Sequence, residues 1–175
     1  ADLFIDATGR SRVISKLTEK GKHSRNEKVP PKKSLFVGFK THLKGAAPAK
    51  NTCEIYSFRG GYGGLSPVEI GLTNFCFLIR STAAREFGGS ADEIMKNVTL
   101  VNQRAAETLK DAEPVREWLA VSIDSFGRAK QSCVTNLFSI GDSAAFVDPF
   151  TGSGMLMAFE SAAILAEAVE RNPFS

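Results

Sequence analysis

Two carboxylates and a pair of glycines crowd one short stretch near the end of the chain, "GDSAAFVDPFTGSGM", residues 141–155. An apolar run, "NLFSI", leads straight into Gly141-Asp142. A strand ending this way delivers a carboxylate to the carboxyl edge of a sheet, where α/β folds bind ligands. Ionised, Asp142 is an acceptor, suited to hydroxyl groups such as those of a ribose or ribityl chain. Asp148-Pro149 then opens a turn, and Gly152 and Gly154 strip side chains from the mouth of a helix. Unpaired backbone N–H groups there, with the helix dipole, favour negative charge. Each half is also ordinary turn and N-cap chemistry. Their joint order is far more restrictive.

The elements that must position these residues can be read from periodicity. "DLFIDATG" is a β-type run ending at Gly9. Arg10 to Lys33 is polar and basic, closed by Pro30-Pro31, and reads as a solvated helix and loop. "SLFVGFKTHL" alternates, with Leu35, Val37, Phe39 and Leu43 on one face and Lys40 and His42 on the other. "TCEIYSF" and "EIGLTNFCFLIR" read as further strands, and the glycines and proline of "RGGYGGLSP" as the hairpin connection between them. Three strands joined this way predict an antiparallel sheet able to cover a ligand with one face.

From Ser90 the period changes. Ser90 and Glu93 form a capping-box signature, and Ile94, Val98, Val101, Ala105 and Leu109 recur at helical spacing through "SADEIMKNVTLVNQRAAETLKDA". "EWLAVSI" and "TNLFSI" are strands again. The tail "SGMLMAFESAAILAEAVER" predicts a helix whose Ala158, Ser161, Ala162 and Ala166 pack closely on a sheet.

Bulk properties narrow the function classes. The 175 residues suffice for one sizeable domain or two small ones, and a formal charge of +3 is too small to argue for a nucleic-acid partner. No apolar run has the length of a membrane span, and no signal-peptide pattern opens the chain. Cys53, Cys76 and Cys133 are widely spaced and odd in number, which fits a reducing cytoplasm. Cys76, inside "NFCFLI", reads as a buried strand thiol. His23 and His42 lie apart, so a zinc site is not expected.

The order strand, Gly-Asp, short loop, Asp-Pro, glycine pair and small-residue helix resembles the C-terminal FAD motif of flavoproteins related to aromatic hydroxylases and geranylgeranyl reductases. The reductase branch shows Gly-Asp-Ala-Ala-x-x-x-Asp-Pro-x-x-Gly-x-Gly, from which "GDSAAFVDPFTGSG" departs only at Ser143. "ADLFIDATGRSRV" is similar to the family segment lying under the cofactor, although Thr8 stands where the hydroxylases carry an acid. "GGYGGLSP" keeps Tyr62 and Pro67 of a third family stretch but has Gly64 where an aromatic residue is usual. That substitution leaves either a roomier pocket or a tight turn.

The resemblance implies an α+β chain, part of an α/β FAD-binding fold. Residues 1–33 and 124–175 would belong to the FAD-binding domain, and 34–123 to an inserted antiparallel substrate sheet with a helix. It implies cofactor contacts at Thr8, Gly9, Gly141, Asp142, Pro149, Thr151, Gly152, Ser153, Gly154 and Met155. Asp142 would hold the ribityl chain, and the backbone from Thr151 to Met155 would face the pyrimidine edge of the flavin. No catalytic acid or base is assigned, since the flavin carries the hard chemistry.

FAD is the implied cofactor, with NAD(P)H as a possible electron donor. The substrate would be a small apolar or aromatic molecule, to be hydroxylated or reduced at a double bond. The family's GxGxxG fingerprint would precede Ala1, so the chain reads as a catalytically incomplete fragment of a longer flavoprotein. A non-catalytic α+β domain binding a ligand or partner is the alternative, its glycines being only turns. Simple anion binding at the Gly152–Met155 helix mouth is a third reading.

Overall fold

The computed structural model describes residues 2–20, 34–97, 99–130, 132 and 134–172. The basic run from Gly21 to Lys33 with His23, and also Val98 and Cys133, lie outside the described residues. The chain divides into two compact units, residues 1–31 with 126–175, and residues 32–125.

The first unit opens with strand β1 (Phe4–Asp6), a 3-10 turn at Gly9–Ser11 and helix α1 (Val13–Lys20). The second unit then runs β2 (Phe36–Lys44), β3 (Glu54–Phe58), β4 (Gly61–Pro67), β5 (Thr73–Arg80), α2 (Ser81–Glu86), α3 (Ala91–Asn97), α4 (Gln103–Thr108), β6 (Glu113–Pro114) and β7 (Leu119–Ile123). The first unit resumes with β8 (Gly127–Arg128), β9 (Leu137–Ser139), β10 (Ala145–Phe146) and α5 (Gly154–Arg171).

The second unit is built on an antiparallel sheet in the order β3-β4-β5-β2-β6, with β7 also paired to β2. Alternation sends Phe39 and Leu43 of β2, Tyr56 of β3, Leu65 of β4, and Phe75, Phe77 and Ile79 of β5 to one buried face. Ala84, Ala91, Ile94, Ala105 and Leu109 of the helical stretch complete that core. Thr41 is buried on the same face, its hydroxyl donating to the Arg116 carbonyl at 2.8 Å. Trp118 closes the core edge-on to Phe75 and Phe77, and its indole N–H donates to Asp92 at 2.8 Å.

Four expectations change here. "RGGYGGLSP" is a hairpin connection only at Arg59-Gly60, the turn from β3 into β4, while residues 61–67 form β4 itself, between β3 and β5. Gly61 serves close strand approach, because a Cβ there would stand 2.0 Å from the Leu78 carbonyl oxygen. Gly64 is therefore a strand residue and not a tight turn, with only the Cys76 sulfur near its missing Cβ.

The predicted single helix after Ser90 is two. Glu93 N–H does donate to Ser90 Oγ at 3.2 Å, as a capping box requires. A 3-10 turn at Thr99–Val101 then interrupts, and Asn102 restarts the helix by accepting from Ala105 N–H at 3.1 Å. A side chain that caps competes with helix continuation, and Val101 is left exposed rather than on a core face.

Cys76 is not buried. It lies on the face of β5 opposite Phe75 and Phe77, and Cys53 is exposed as well. The partial burial that Cys76 retains pushes its thiol pKa upward. Leu35, finally, precedes β2 and is exposed rather than on its buried face.

Glu54 ties β3 to α4. Its carboxylate accepts from Arg104 at 2.6 and 3.1 Å, Tyr56 OH at 2.7 Å, Thr108 Oγ1 at 3.2 Å and Ala49 N–H at 2.8 Å. The guanidinium foremost, against the penalty of burial, draws its pKa from 4.5 to about 2. Burial, chiefly, pushes the Tyr56 hydroxyl upward.

In the first unit β1 and β9 pair in parallel, Asp6 opposite Ser139, and β8 pairs with β10 antiparallel. Helix α5 packs on the Gly141–Ser143 turn through Ala158 and Ser161, instead of lying flat on a sheet through all four small residues. Ala166 is exposed. Among the described residues no helix is long and apolar enough to cross a membrane.

Candidate functional site

Parallel pairing of β1 with β9 sends both strands out of the same sheet edge, β1 toward Gly9 and β9 toward Gly141. Each strand ends in a tight turn: a 3-10 turn at Gly9–Ser11 after β1, and another at Gly141–Ser143 after β9. Gly141 has φ +56°, and a Cβ there would meet Ala158 Cβ at 3.2 Å. Only glycine satisfies both the left-handed backbone and the close approach of α5. Gly141 N–H donates to Ser161 Oγ at 2.9 Å, fastening the turn to that helix.

Asp148 begins the third wall. Its side chain caps the 3-10 turn Pro149–Thr151 by accepting from Phe150 N–H at 3.0 Å, and proline occupies the first position of the turn, where no N–H is needed. Gly152 ends the turn at φ +64°, and Ser153 leads into α5. The loop is held locally by a 2.7 Å hydrogen bond between the Thr151 and Ser153 hydroxyls. The first turn of the 18-residue helix α5 thus opens at the loop, with Gly154 as its first residue.

These walls surround a cavity of about 510 Å³, of the size that holds small molecules and cofactors. Gly9, Gly141, Asp142, Pro149, Gly152, Gly154 and Met155 line it, so the structure brings together residues from both ends of the sequence. Thr8, Thr151 and Ser153 are not among the lining residues. Thr8 turns inward to Asp6 at 2.5 Å, and the other two bond each other. Ala7, Ile140, Phe146, Val147 and Ala158 complete the lining and carried no motif signal. Phe146 is braced by the Arg10 guanidinium, 4.9 Å from its ring centre, and by Phe126 at 5.3 Å.

The walls leave open space beside three of the glycines. A Cβ at Gly9, Gly152 or Gly154 would meet no atom within 4 Å, so these positions face open space that a planar ligand can approach against bare backbone. The lining combines apolar side chains, one carboxylate and a helix N-terminus. That donor set suits a flat heteroaromatic ring carrying a polyhydroxyl chain.

No family model matches the chain. A 1H-pyrrole-2-carbonyl-(peptidyl-carrier protein) chlorinase of Pseudomonas fluorescens is 34% identical over 88 residues, 48% of this chain and 19% of that protein. A variant of the flavin-dependent brominase Bmp2 matches 97% of the chain with a TM-score of 0.73 at 19% identity, over 43% of its own length. The myxobacterial chondrochloren halogenase CndH, described as a FAD-dependent halogenase, matches 97% of the chain with a TM-score of 0.67 at 20% identity, over 39% of its length. These neighbours are halogenases, whereas the motifs resembled those of hydroxylases and geranylgeranyl reductases. The chain shares the fold of the matched flavin-dependent structures and spans about two-fifths of their length.

Proposed function

We propose that this chain supplies the later flavin-binding segments, residues 1–33 and 124–175, and the substrate-type sheet, residues 34–123, of a FAD-dependent oxidoreductase that halogenates a small apolar or aromatic substrate. One observation carries the reading: Gly9, Gly141-Asp142, Pro149, Gly152 and Gly154-Met155, far apart in sequence, line a single cavity at the N-terminus of α5. Halogenation is preferred to hydroxylation or double-bond reduction because the matched relative is a chlorinase and the matched structures are halogenases.

Asp142 accepts hydrogen bonds from the ribityl hydroxyls of the cofactor. Pro149 would pack beside the ring system, and the backbone of Gly152, Gly154 and Met155 would face its pyrimidine edge. The partial positive charge of the α5 N-terminus stabilises anionic character there. When bound, FAD would supply the redox chemistry, with NAD(P)H as the electron donor, directly or through a separate reductase. Gly9 and Gly154 keep the approach free of side chains.

The test uses the full-length protein carrying this chain, purified natively. It should retain yellow FAD, and Asp142→Ala should lower the retained fraction. With reduced FAD, oxygen, bromide or chloride and an electron-rich phenol, mass spectrometry should find the halogenated phenol. A protein that never takes up FAD, and that Asp142→Ala leaves unchanged, refutes the cofactor reading. FAD uptake with only hydroxylated product refutes halogenation alone.

A further inference from the structure

Asp6 is fully buried at the end of β1, yet its carboxylate accepts four hydrogen bonds and faces a fifth hydroxyl. Thr8 N–H and Thr8 Oγ1 reach Oδ1 at 3.1 and 2.5 Å, and Ser15 N–H and Ser15 Oγ reach Oδ2 at 2.9 and 2.6 Å. The fifth hydroxyl is that of Ser143, whose Oγ lies 3.3 Å from Oδ1. Ser143 is also fully buried, and the same hydroxyl lies 2.9 Å from the Gly9 carbonyl oxygen. It has one proton for two acceptors, and the shorter distance favours Gly9.

Burial alone would raise the Asp6 pKa. The donors from Ser15 and Thr8 outweigh it and hold the carboxyl well below the ordinary carboxylate range. Asp6 therefore stays ionised throughout the neutral range and keeps its acceptors aimed. Thr8 relays the order outward, its Oγ1 accepting from Val13 N–H at 2.7 Å at the start of α1.

Gly9 and Gly141, on either side of this cluster, both line the cavity. They belong to separate turns, Gly9 and Ser143 lying 134 positions apart, and Ser143 Oγ reaches across from the second turn to the first. We propose that Ser143, packed beside the Asp6 carboxylate and donating to the Gly9 carbonyl, is a positioning residue that locks the Gly9 and Gly141 turns into one preset floor for the cofactor. Position 143 is where the chain departs from the alanine of the related FAD motif, so the lock is a property of this sequence. The cofactor part rests on the FAD reading above; the lock itself does not.

Ser143→Ala is nearly isosteric and removes only the hydroxyl, and Ser143→Cys keeps the bulk while weakening the donor. Both are made in the full-length protein. Hydrogen exchange is followed without flavin at the Thr8, Arg12 and Ala144 amides, and then FAD affinity and the visible circular dichroism of bound FAD. Loss of one buried hydrogen bond should speed exchange in both turns and weaken FAD by about three- to tenfold, with Ser143→Cys in between. The dichroism of the bound flavin should change, which a merely global loss of stability would not produce.

Exchange and affinity within twofold of wild type in Ser143→Ala overturn the proposal. Faster exchange in a protein whose wild type takes up no FAD upholds the lock and overturns the cofactor reading instead. Exchange that accelerates equally in the second unit marks plain destabilisation and also overturns the lock.

Discussion

Gly152 and Gly154 are two residues apart, and the structure assigns them opposite responses to the same substitution. Gly152 has φ +64°, and a Cβ there would touch nothing within 4 Å. Gly152→Ala meets no clash but must hold an L residue in the left-handed region, at about 1–2 kcal/mol. Gly154 is the first residue of α5, with no such backbone demand and equally open space before it. Gly154→Ala should raise stability, by up to about 0.5–1 kcal/mol from helix propensity and reduced unfolded-state freedom. Its methyl, however, enters the cavity that Gly154 lines. If a flavin ring lies against that backbone, the overpacking costs about 1–3 kcal/mol of binding, roughly a five- to hundredfold rise in Kd. Gly154→Val should weaken it further. The assay is fluorescence titration of FAD into flavin-stripped full-length protein, alongside thermal melts. A Gly154→Ala protein that is at least as stable as wild type and binds FAD within twofold of it refutes the placement of the cofactor at this helix mouth. A gain in stability with a loss of affinity is hard to explain if the glycines serve only as turns.

Other perturbations probe the frame around the site. The Glu54 carboxyl is held at about 2, below its ordinary 4.5, so it contributes stability that is fully present above pH 4.5 and is lost as pH falls toward 2. Because Arg104 is half exposed, the contribution is screened to about 1–2 kcal/mol. Glu54→Gln should be less stable than wild type by that amount near neutrality, with the gap closing through this window, in urea unfolding followed by the single Trp118. Gly61→Ala puts a Cβ 2.0 Å from the Leu78 carbonyl and should cost about 3 kcal/mol. Gly64→Ala, whose Cβ meets only Cys76 Sγ at 3.7 Å, should stay within about 0.5 kcal/mol in the same melts. Asn102→Ala removes the cap of α4 and should cost about 1 kcal/mol, read as lost helical circular dichroism on mild heating.

Local patterns were legible where one rule acted alone. Alternation marked β2 and β3, and the Ser90–Glu93 box marked the start of α3. Two rules in competition misled. Glycine usually signals a turn, yet in β4 it answers a demand for room between strands that appears only once β3 and β5 flank it. Helical spacing from Ile94 to Leu109 hid the cap at Asn102, whose side chain also donates to the Ser57 carbonyl at 3.0 Å. Cys76 stands in an apolar run, but period two turns it away from Phe75 and Phe77. For the site, the motif residues carried their own signals through glycine and acid spacing. Phe146 and Val147 did not, because their place in the lining depends on the Arg128–Ala145 and Gly127–Phe146 pairing of two-residue strands, too short to show a period. The Asp6–Ser143 contact spans 137 positions and leaves no local trace.

The topology also explains why so long an insertion leaves the candidate site intact. The two glycine turns are set by a parallel pair of only three residues a side, Phe4–Asp6 on Leu137–Ser139. A parallel pair always needs a long crossover, and the entropy of closing a loop grows only logarithmically with its length. A crossover of a dozen residues and one carrying a folded unit therefore differ little in what they demand of the pair. The Asp6 cluster then carries the local order, with its hydroxyl and amide partners coming from Thr8, Ser15 and Ser143. It follows that substitutions in the core of the sheet unit, such as Gly61→Ala, should lower that unit's own stability while leaving hydrogen exchange at Thr8 and Arg12 near its wild-type rate. Acceleration at those two amides in Gly61→Ala would show that the turns depend on the insertion, and the independence of their local order would fail.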